Sequence, residues 1–301
     1  MSIFEQKNKS KIKCLIMTML CLNILACSKE KISKIECPIP LTTFSDSEKE
    51  VAKKNLETKG IPVTTDSFIE AIVSKDENSI NDMIKLGINL DAYGERGETP
   101  LIVALAENNP GIVTLLINKG ANVNIPDQNG HIPFVKAIYG HENGTLVSYM
   151  LDHCADVNIK SMLAPPGHGS ASEEVDTPLH AAIDKQDIQL INVLIKKGAD
   201  INQKAGLGNI SPLSLAVGSD NLELVKLFVE NGANVNSSDD SGWTPLIVAL
   251  ENSHFEVAKF LIDHGANLNA HTTSGESPIG LAKKKSRNDI VELLLTKGAK
   301  E

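Results

Sequence analysis

Side chains that could take part in chemistry are few in this sequence of 301 residues, and they do not group into a reactive site. The eight histidines are scattered, and no cysteine and histidine spacing matches a zinc site. His168 lies in a Gly-His-Gly-Ser run that resembles no nucleophile motif, and Gly206-Leu207-Gly208 is a lone Gly-x-Gly that indicates a turn. No nucleophile, base and orienting group come together. We therefore expect no catalytic residue, no metal site and no cofactor, and we predict that the protein is not an enzyme.

Cys27 is the one reactive side chain with a specific sequence context. Four lysines between positions 7 and 13 form a basic start, residues 12–25 are mostly apolar, and Ile24-Leu25-Ala26-Cys27 ends the stretch. This arrangement resembles a bacterial lipoprotein signal peptide with a lipobox. The resemblance implies cleavage before Cys27, a diacylglycerol thioether on its sulfur, and acylation of the new amino group.

A lipid on Cys27 would anchor the mature chain, since several acyl chains on one residue hold a protein firmly at a membrane. Residues 1–26 are then the signal peptide, and residues 27–63 are the lipidated cysteine with a polar spacer and a short helix. Ser28 follows in place of an aspartate, so the resemblance implies the outer membrane, facing the periplasm. The alternatives are an ordinary secretory peptide with an incidental Cys27, or an uncleaved anchor, although the apolar stretch is short for a membrane span.

A repeat with a period near 33 residues must supply the elements that position any site. In residues 236–269, Thr244 is the predicted N-cap of a short helix and Pro245 its first residue, and Gly265 closes a second helix in the left-handed conformation. Helices this short are marginal alone, so each pair must pack on its neighbours. The starting and closing residues recur at Pro100, Pro133, Pro178, Pro212, Pro245 and Pro278, and at Gly87, Gly120, Cys154, Gly198, Gly232, Gly265 and Gly298.

This unit resembles the ankyrin repeat. Thr177-Pro178-Leu179-His180 and Gly198-Ala199-Asp200-Ile201-Asn202 carry that family's Thr-Pro-Leu-His and Gly-Ala-x-x-Asn signatures. The resemblance implies an all-α solenoid of about seven helix-turn-helix and hairpin units over residues 64–301, the first of them degenerate. Only His180 keeps the family's histidine, so we expect weaker links between units than in a consensus array. An insertion at about residues 160–175 lengthens one hairpin, either for recognition or as a neutral insertion.

Two thiols would remain after lipidation, on Cys37 and Cys154. A disulfide between them is conceivable in an oxidising compartment. We favour the interpretation that Cys154 is simply a small residue at a helix end, in the place of the closing glycine.

A short helix is predicted in the spacer before the array. Ser47-Glu48-Lys49-Glu50 indicates a capping box, and the helix should run to about Lys59. Through Val51, Leu56 and Ile61 it could cover the open end of the first repeat. It could also be a frayed helix in the tether.

Charge bears on the choice of partner. Residues 64–301 carry 31 acidic and 18 basic side chains, a net charge of −13. Such a surface repels nucleic acid and anionic lipid and attracts basic partners, although it also keeps a repeat protein in solution. We therefore expect one or more protein partners, including basic ones, no nucleic acid, and membrane contact only through the N-terminal lipid. We expect a monomer.

The ankyrin resemblance implies that partners bind at the hairpin residues before Thr-Pro and at the exposed end of the first helix. Trp243 is the only tryptophan and the leading candidate for an anchor, because tryptophan is enriched at binding hot spots. The alternative is that its ring merely covers the next hairpin. The predicted partner-binding residues are Glu95, Arg96, Glu98, Glu107, Asn129, His131, Tyr139, Asp176, Asp184, Ile210, Asp240, Trp243, Glu251, Glu276 and Lys284.

Three functions are compatible with these features. The first, which we predict, is a non-catalytic protein-protein interaction module anchored to the bacterial envelope that binds its partner on the face of the hairpins and inner helices. The second is an immunity or inhibitor protein against an envelope-targeting toxin or lipase. The third is an ankyrin effector acting in a host cell, and the lipobox counts against it.

Overall fold

The computed structural model describes residues 43–140, 144–162 and 175–300. A leading helix, α1 (Asp46–Lys59), precedes seven helix pairs, which we number pair 1 to pair 7. The pairs are α2 (Thr65–Val73) with α3 (Glu77–Lys85), α4 (Pro100–Ala106) with α5 (Pro110–Asn118), α6 (Pro133–Tyr139) with α7 (Gly144–Asp152), α8 (Pro178–Asp184) with α9 (Ile188–Lys196), α10 (Pro212–Gly218) with α11 (Leu222–Glu230), α12 (Pro245–Glu251) with α13 (Phe255–Asp263), and α14 (Pro278–Lys284) with α15 (Asn288–Thr296). The predicted helical array of about seven units is confirmed.

The first helix of pairs 2 to 7 begins at a proline in every case, as the sequence predicts. In five of the six, the hydroxyl of the preceding Thr or Ser accepts the backbone N–H three residues on. At Thr244 this bond comes from Ile247 N and measures 3.4 Å. Ile132, before α6, makes no such bond. These helices are seven residues long, so most of their stability must come from packing between pairs.

A residue in the left-handed conformation follows each pair. The glycines at these positions have positive φ, from 83° at Gly87 to 101° at Gly120, and Cys154 has a φ of 64°. Cys154 thus occupies the glycine position, as predicted, where most side chains are strained. Cys154 is disulfide-bonded, so the favoured interpretation of a simple thiol is wrong. The pairing with Cys37 lies outside the described residues.

Asparagine side chains join the hairpins of consecutive pairs. Asn202 Oδ1 accepts the N–H of Asn234 at 2.8 Å, and its Nδ2 donates to the carbonyl of Gly232 at 3.3 Å. The same two bonds are made by Asn124, Asn158 and Asn236. At the first junction the position is taken by Asp91, whose carboxylate accepts the N–H of Asn122 at 2.9 Å but, when ionised, has no proton to donate.

His180 provides the histidine link expected from its family signature. Its ring is almost fully buried, with Nδ1 2.7 Å from Thr177 Oγ1 and Nε2 3.1 Å from the carbonyl oxygen of Ile210 in the next pair. Burial lowers the pKa of His180, which favours the neutral ring. Pair 4 and pair 5 are therefore joined by a bond whose strength depends on the protonation state of this side chain.

The capping box of α1 lies two residues earlier than predicted. Ser45 is the N-cap, its Oγ accepts the N–H of Glu48, and the Glu48 carboxylate accepts the N–H of Ser45 at 2.8 Å. The box placed at residues 47–50 is therefore wrong. The end of the helix at Lys59 is as predicted.

Helix α1 packs on pair 1 and covers that end of the array. Leu56 is buried as expected, but Val51 is 58% exposed, and Ala52 is buried in its place. Asn55 Nδ2 donates to Asp82 Oδ2 at 2.9 Å, and Lys59 Nζ lies 2.8 Å from a carboxylate oxygen of Asp76, the N-cap residue of α3. The alternative of a frayed helix is thus not what the structure shows.

The lengthened hairpin before pair 4 has a short ribbon at its base. Strands β1 (Ser161–Met162) and β2 (Val175–Asp176) pair antiparallel, with Ser161 opposite Asp176. The central part of the insertion, the predicted signal peptide and Cys27 all lie outside the described residues. Among the helices that the structure describes, none is both long and apolar enough to cross a bilayer.

Candidate partner-binding surface

The predicted contact positions lie on one side of the array, which we call the hairpin face. It consists of the hairpins that precede the first helices, together with the C-terminal ends of those helices. Backbone hydrogen bonds join neighbouring hairpins, for example from Gln128 N to the Gly97 carbonyl at 2.8 Å and from Asp240 N to the Gly208 carbonyl at 2.8 Å. The side chains of this face are therefore held at fixed positions from one pair to the next.

The predicted residues differ in how much of each is exposed. Six are exposed: Glu95, Arg96, Glu107, Asp184, Asp240 and Lys284. Eight are partly exposed: Glu98, Asn129, His131, Tyr139, Ile210, Trp243, Glu251 and Glu276. Only Asp176 is buried, at 4% exposure.

Asp176 braces two pairs internally. Its Oδ1 accepts the N–H of Thr177 at 2.8 Å, and its Oδ2 accepts the hydroxyl of Tyr139, which also lies 3.2 Å from Asp184 Oδ2. Burial raises the pKa of the Tyr139 hydroxyl most, and the two carboxylates raise it further, so the hydroxyl keeps its proton and donates. The Lys185 ammonium lies 5.7 Å from the centre of the Tyr139 ring. The prediction that Asp176 contacts a partner is not supported by this geometry, because its carboxylate is turned inward.

Two aspartates that are not among the predicted partner-binding residues shape the hairpins. Asp127 Oδ1 accepts the N–H groups of Asn129 at 2.9 Å and of His131 at 2.8 Å. Asp239 holds its hairpin in the same way, and its Oδ1 accepts the N–H of Trp243 at 2.8 Å. The sequence pattern that indicates these bonds is an aspartate four residues before His131 and another four residues before Trp243. In turns, an aspartate side chain commonly accepts the backbone N–H of a residue that follows it.

Trp243 lines an apolar groove between pair 5 and pair 6. The ring is partly buried against the core, and the groove beside it has a volume of about 300 Å³. No partner for the indole N–H is found among the described residues, and its nitrogen is not fully buried. One side of the Trp243 ring therefore packs against the core, and the ring also lines the groove. The groove is lined by Ile210, Ser214, Leu215, Gly218, Asp239, Trp243 and Val248.

Gly218 is the reason why this groove is open. It is the seventh residue of α10, and the matching residues of the neighbouring first helices are Asp184 in α8 and Glu251 in α12. A Cβ placed at Gly218 would meet no atom within 4 Å, so the space beside it is free. The absence of a side chain at this one position exposes the apolar floor next to Trp243.

A second groove, of about 490 Å³, lies between pair 1 and pair 2. It brings together four predicted residues, Glu95, Arg96, Glu98 and Glu107. Ala106 is the last residue of α4, as Asp184 is of α8, so Ala106 is the residue that matches Asp184. Glu107 lies one position further along the chain. The groove also contains residues on α2 that were missed, because that helix lacks the Thr-Pro signature.

The predicted residues of the last two pairs have partners within the chain. The Glu251 carboxylate lies 4.0 Å from the ammonium groups of Lys284 and Lys285. The hydroxyls of Ser274 and Thr272 donate to Glu276, and these bonds lower the pKa of that carboxyl. This end of the hairpin face therefore offers fewer unpaired carboxylates. In the part of the chain that the structure describes, no group of three or more His, Cys, Asp or Glu residues is placed to hold a metal ion.

Comparison with known families decides the nature of the array. The family model "Ankyrin repeats (3 copies)" matches residues 68–161 and 210–301, and the model "Ankyrin repeat" matches residues 176–205. The chain belongs to the ankyrin-repeat family. Ankyrin repeats mediate protein-protein interactions, and they are typically non-catalytic.

Two of the similar proteins share the ankyrin array with this chain but are much longer than the matched region. A protein of Rickettsia bellii (strain RML369-C), named as an ankyrin repeat protein, is 30% identical over 146 residues, which is 47% of this chain and 18% of that protein. Phosphocholine transferase AnkX of Legionella pneumophila is 24% identical over 168 residues, which is 52% of this chain and 17% of that protein, within the repeats only. This chain thus spans less than a fifth of either relative. The ankyrin repeat domain of Bcl-3, a member of the IkappaB protein family, has a TM-score of 0.58 at 25% identity, covering 76% of this chain and 97% of that one.

Proposed function

We propose that this ankyrin chain is a non-catalytic binding module, held at a bacterial envelope by a lipid on Cys27, which binds a protein partner on its hairpin face as a monomer. The groove beside Trp243 carries the binding part of the proposal. It combines an apolar floor, a ring packed on one side against the core, and an indole N–H that has no partner among the described residues and is not fully buried. Tryptophan in such a setting is typical of residues that dominate the binding energy of an interface.

The shape of the groove indicates how a partner would fit. An apolar side chain can enter between Ile210, Leu215 and Val248 and lie against the Trp243 ring. A backbone carbonyl of the same partner segment can then accept the indole N–H. Both contacts require the space that Gly218 leaves free.

The binding proposal is tested by affinity capture from the envelope fraction of the source cells. Gly218→Glu gives α10 the side chain that α12 has, fills the groove, and removes a helical glycine that costs about 0.5–1 kcal/mol relative to alanine. We expect a protein that is captured by the wild type to be lost with Gly218→Glu and with Trp243→Ala. The Gly218→Glu variant should melt no lower than the wild type.

Gln189→Glu is the matched control, since it adds the same charge to the exposed side of α9, outside the hairpin face. It should leave capture unchanged. Capture that survives Gly218→Glu would rule out this groove as the binding site. A large fall in melting temperature for Trp243→Ala would mark the ring as mainly structural.

The anchoring proposal is supported by the lysines, apolar stretch and Ile-Leu-Ala-Cys sequence of residues 1–27. Cys27→Ser should abolish metabolic labelling with palmitate and release the protein from the outer-membrane fraction. Cys21→Ser, which changes a cysteine of the predicted signal peptide, should alter neither. Labelling that persists in Cys27→Ser would refute lipidation at this residue.

A further inference from the structure

The groove between pair 1 and pair 2 has an apolar floor and acidic walls. Helix α2 supplies Ile69 and Val73 to the floor, and Val73 is 47% exposed. Val103 and Ala106 of α4 complete the floor. The ionisable residues that line the groove are Asp66, Glu70, Glu95, Arg96, Glu98 and Glu107.

The groove is a built feature of the fold. Gly94 approaches α2 so closely that a Cβ on it would lie 2.4 Å from Ile69 Cδ1. One residue further, Glu95 N donates to Asp66 Oδ1 at 2.8 Å and fixes the hairpin to α2. One wall is therefore held in place by a side chain of pair 1 and by the absence of a side chain at Gly94.

The walls of the groove carry an excess of negative charge, and several of their carboxylates are unpaired within the described part of the chain. Five carboxylates face one guanidinium around the groove. Within the described residues, the side chains of Glu70, Glu98 and Glu107 take part in no ion pair or hydrogen bond, in contrast to Glu251 in pair 6. The carboxylates are not grouped to hold a metal ion. A side chain with a cationic end and an apolar stem could pair with the carboxylates of the walls and pack on the apolar floor at the same time.

We propose that this groove binds lysine side chains of an extended basic segment in the protein partner. The aliphatic stem lies along Ile69, Val73 and Ala106, and the ammonium group is placed among Glu70, Glu98 and Glu107. Lysine buries its methylene chain on apolar surface while its charged end stays among polar groups, and such a groove raises the local concentration of cations. The inference rests on the proposed function, in which the hairpin face binds a protein.

A direct binding measurement tests this inference without the native partner. The probe is a short fluorescein-labelled peptide of alternating lysine and serine, added to the full mature chain in detergent and followed by fluorescence anisotropy at physiological salt. We expect saturable binding that weakens by about tenfold or more in Glu70→Gln/Glu107→Gln, because two charge-assisted contacts are lost. Glu223→Gln/Glu230→Gln on α11 removes the same net charge from exposed positions outside the hairpin face and should weaken binding by less than about twofold.

The apolar floor is tested with a second peptide in which ornithine replaces every lysine, so that the charge is kept and each stem is one methylene shorter. We expect it to bind at least about threefold more weakly, because each stem has one methylene group fewer to cover the floor. Equal losses in the two double variants would show attraction by net charge alone and would overturn the proposal. So would equal affinity for the two peptides, or binding that does not saturate.

The outcomes also separate this inference from the proposed function. Peptide binding that is normal in Gly218→Glu, while partner capture is lost, shows two independent sites on one face. If the wild type does not bind the peptide and partner capture survives Glu70→Gln/Glu107→Gln, the inference of a lysine-binding groove is refuted and the proposed function is not. Peptide binding without any captured partner contradicts the proposed function and leaves the groove standing.

Discussion

Asp91 occupies a junction position where asparagine stands elsewhere, and we predict that Asp91→Asn stabilises the protein. At the next four junctions the asparagine side chain accepts one backbone N–H and donates through Nδ2 to the carbonyl of the closing residue, as Asn202 does to Gly232. Asp91 accepts the N–H of Asn122 at 2.9 Å. An asparagine there would keep this bond and add a second one, to the carbonyl of Gly120.

The expected gain in stability has two contributions of the same sign. The added hydrogen bond is worth about 0.5–1.5 kcal/mol of unfolding free energy. In addition, burial raises the pKa of Asp91 despite the bond from Asn122, so the ionised carboxylate is less stable in the folded chain than in the unfolded one. Replacing it with a neutral amide removes that cost. The expected gain at neutral pH is at least about 1 kcal/mol.

The pH dependence is a separate check on this reasoning. Because the pKa of Asp91 is higher in the folded state, that state binds more protons between the unfolded and folded values, and stability falls as pH rises through this window. The loss persists above it. The gain from Asp91→Asn should therefore be largest at neutral pH, shrink as pH falls through the raised folded-state pKa, and be smallest below the ordinary carboxyl pKa of about 3.9.

Urea unfolding followed by circular dichroism measures the gain, and amide hydrogen exchange in α2 and α3 locates it, since each repeat is stabilised mainly by its neighbours. Asp156→Asn is the matched control: Asp156 is exposed, and within the described residues its carboxylate accepts a hydrogen bond only from the nearby N–H of Asn158. It should change stability by less than about 0.5 kcal/mol. If Asp91→Asn gains no more than Asp156→Asn, or gains equally at acid pH, the missing bridge is not what weakens this junction.

Two further predictions concern contacts between neighbouring units. His180→Ala should lower the unfolding free energy by roughly 2 kcal/mol, because the Ile210 carbonyl loses its partner. Because the pKa of His180 is lowered in the folded state, the unfolding free energy of the wild type should fall between about pH 7 and pH 5. Urea titrations should show a smaller fall for the variant. Leu56→Ala should cost about 2–4 kcal/mol locally and speed hydrogen exchange in α3 while leaving α13 unchanged, whereas Val51→Ala, at an exposed position of the same helix, should have little effect.

Features governed by the local backbone could be predicted from the sequence. Proline at the first helical residue, a hydroxyl before it and a left-handed residue after the second helix depend on nearby atoms only, so Pro245 and Gly265 fixed their helix ends correctly. The capping box of α1 was misplaced because Ser45 and Ser47 are equivalent in local chemistry, and packing on pair 1 selects between them. Local pattern alone also put Val51 on the buried face in place of Ala52.

The side chains of the hairpin face were predicted less well, because exposure there depends on the next pair. Asp176 holds a position that is partly exposed in the other hairpins, yet Tyr139 reaches it from the preceding pair and its carboxylate is turned inward. Asp66 and Glu70 were missed for the opposite reason. They lie on the degenerate unit, where no signature marks the contact positions, and they become part of a groove only because the hairpin around Gly94 folds against them.

Both grooves arise where this chain departs from its own repeat. The prolines, closing glycines and bridging asparagines recur in most units because they maintain the repeat, so these residues cannot distinguish one partner from another. Gly218 replaces an acidic side chain and opens the floor beside Trp243, and a helix without the Thr-Pro signature carries Glu70 into the first groove. Restoring the repeat at such a position should therefore preserve the fold and remove binding, whereas changing a bridging asparagine should weaken the fold and spare binding. Gly218→Glu is accordingly expected to keep the melting temperature and lose the partner, and Asn202→Ala to lower the melting temperature and keep partner capture below that transition.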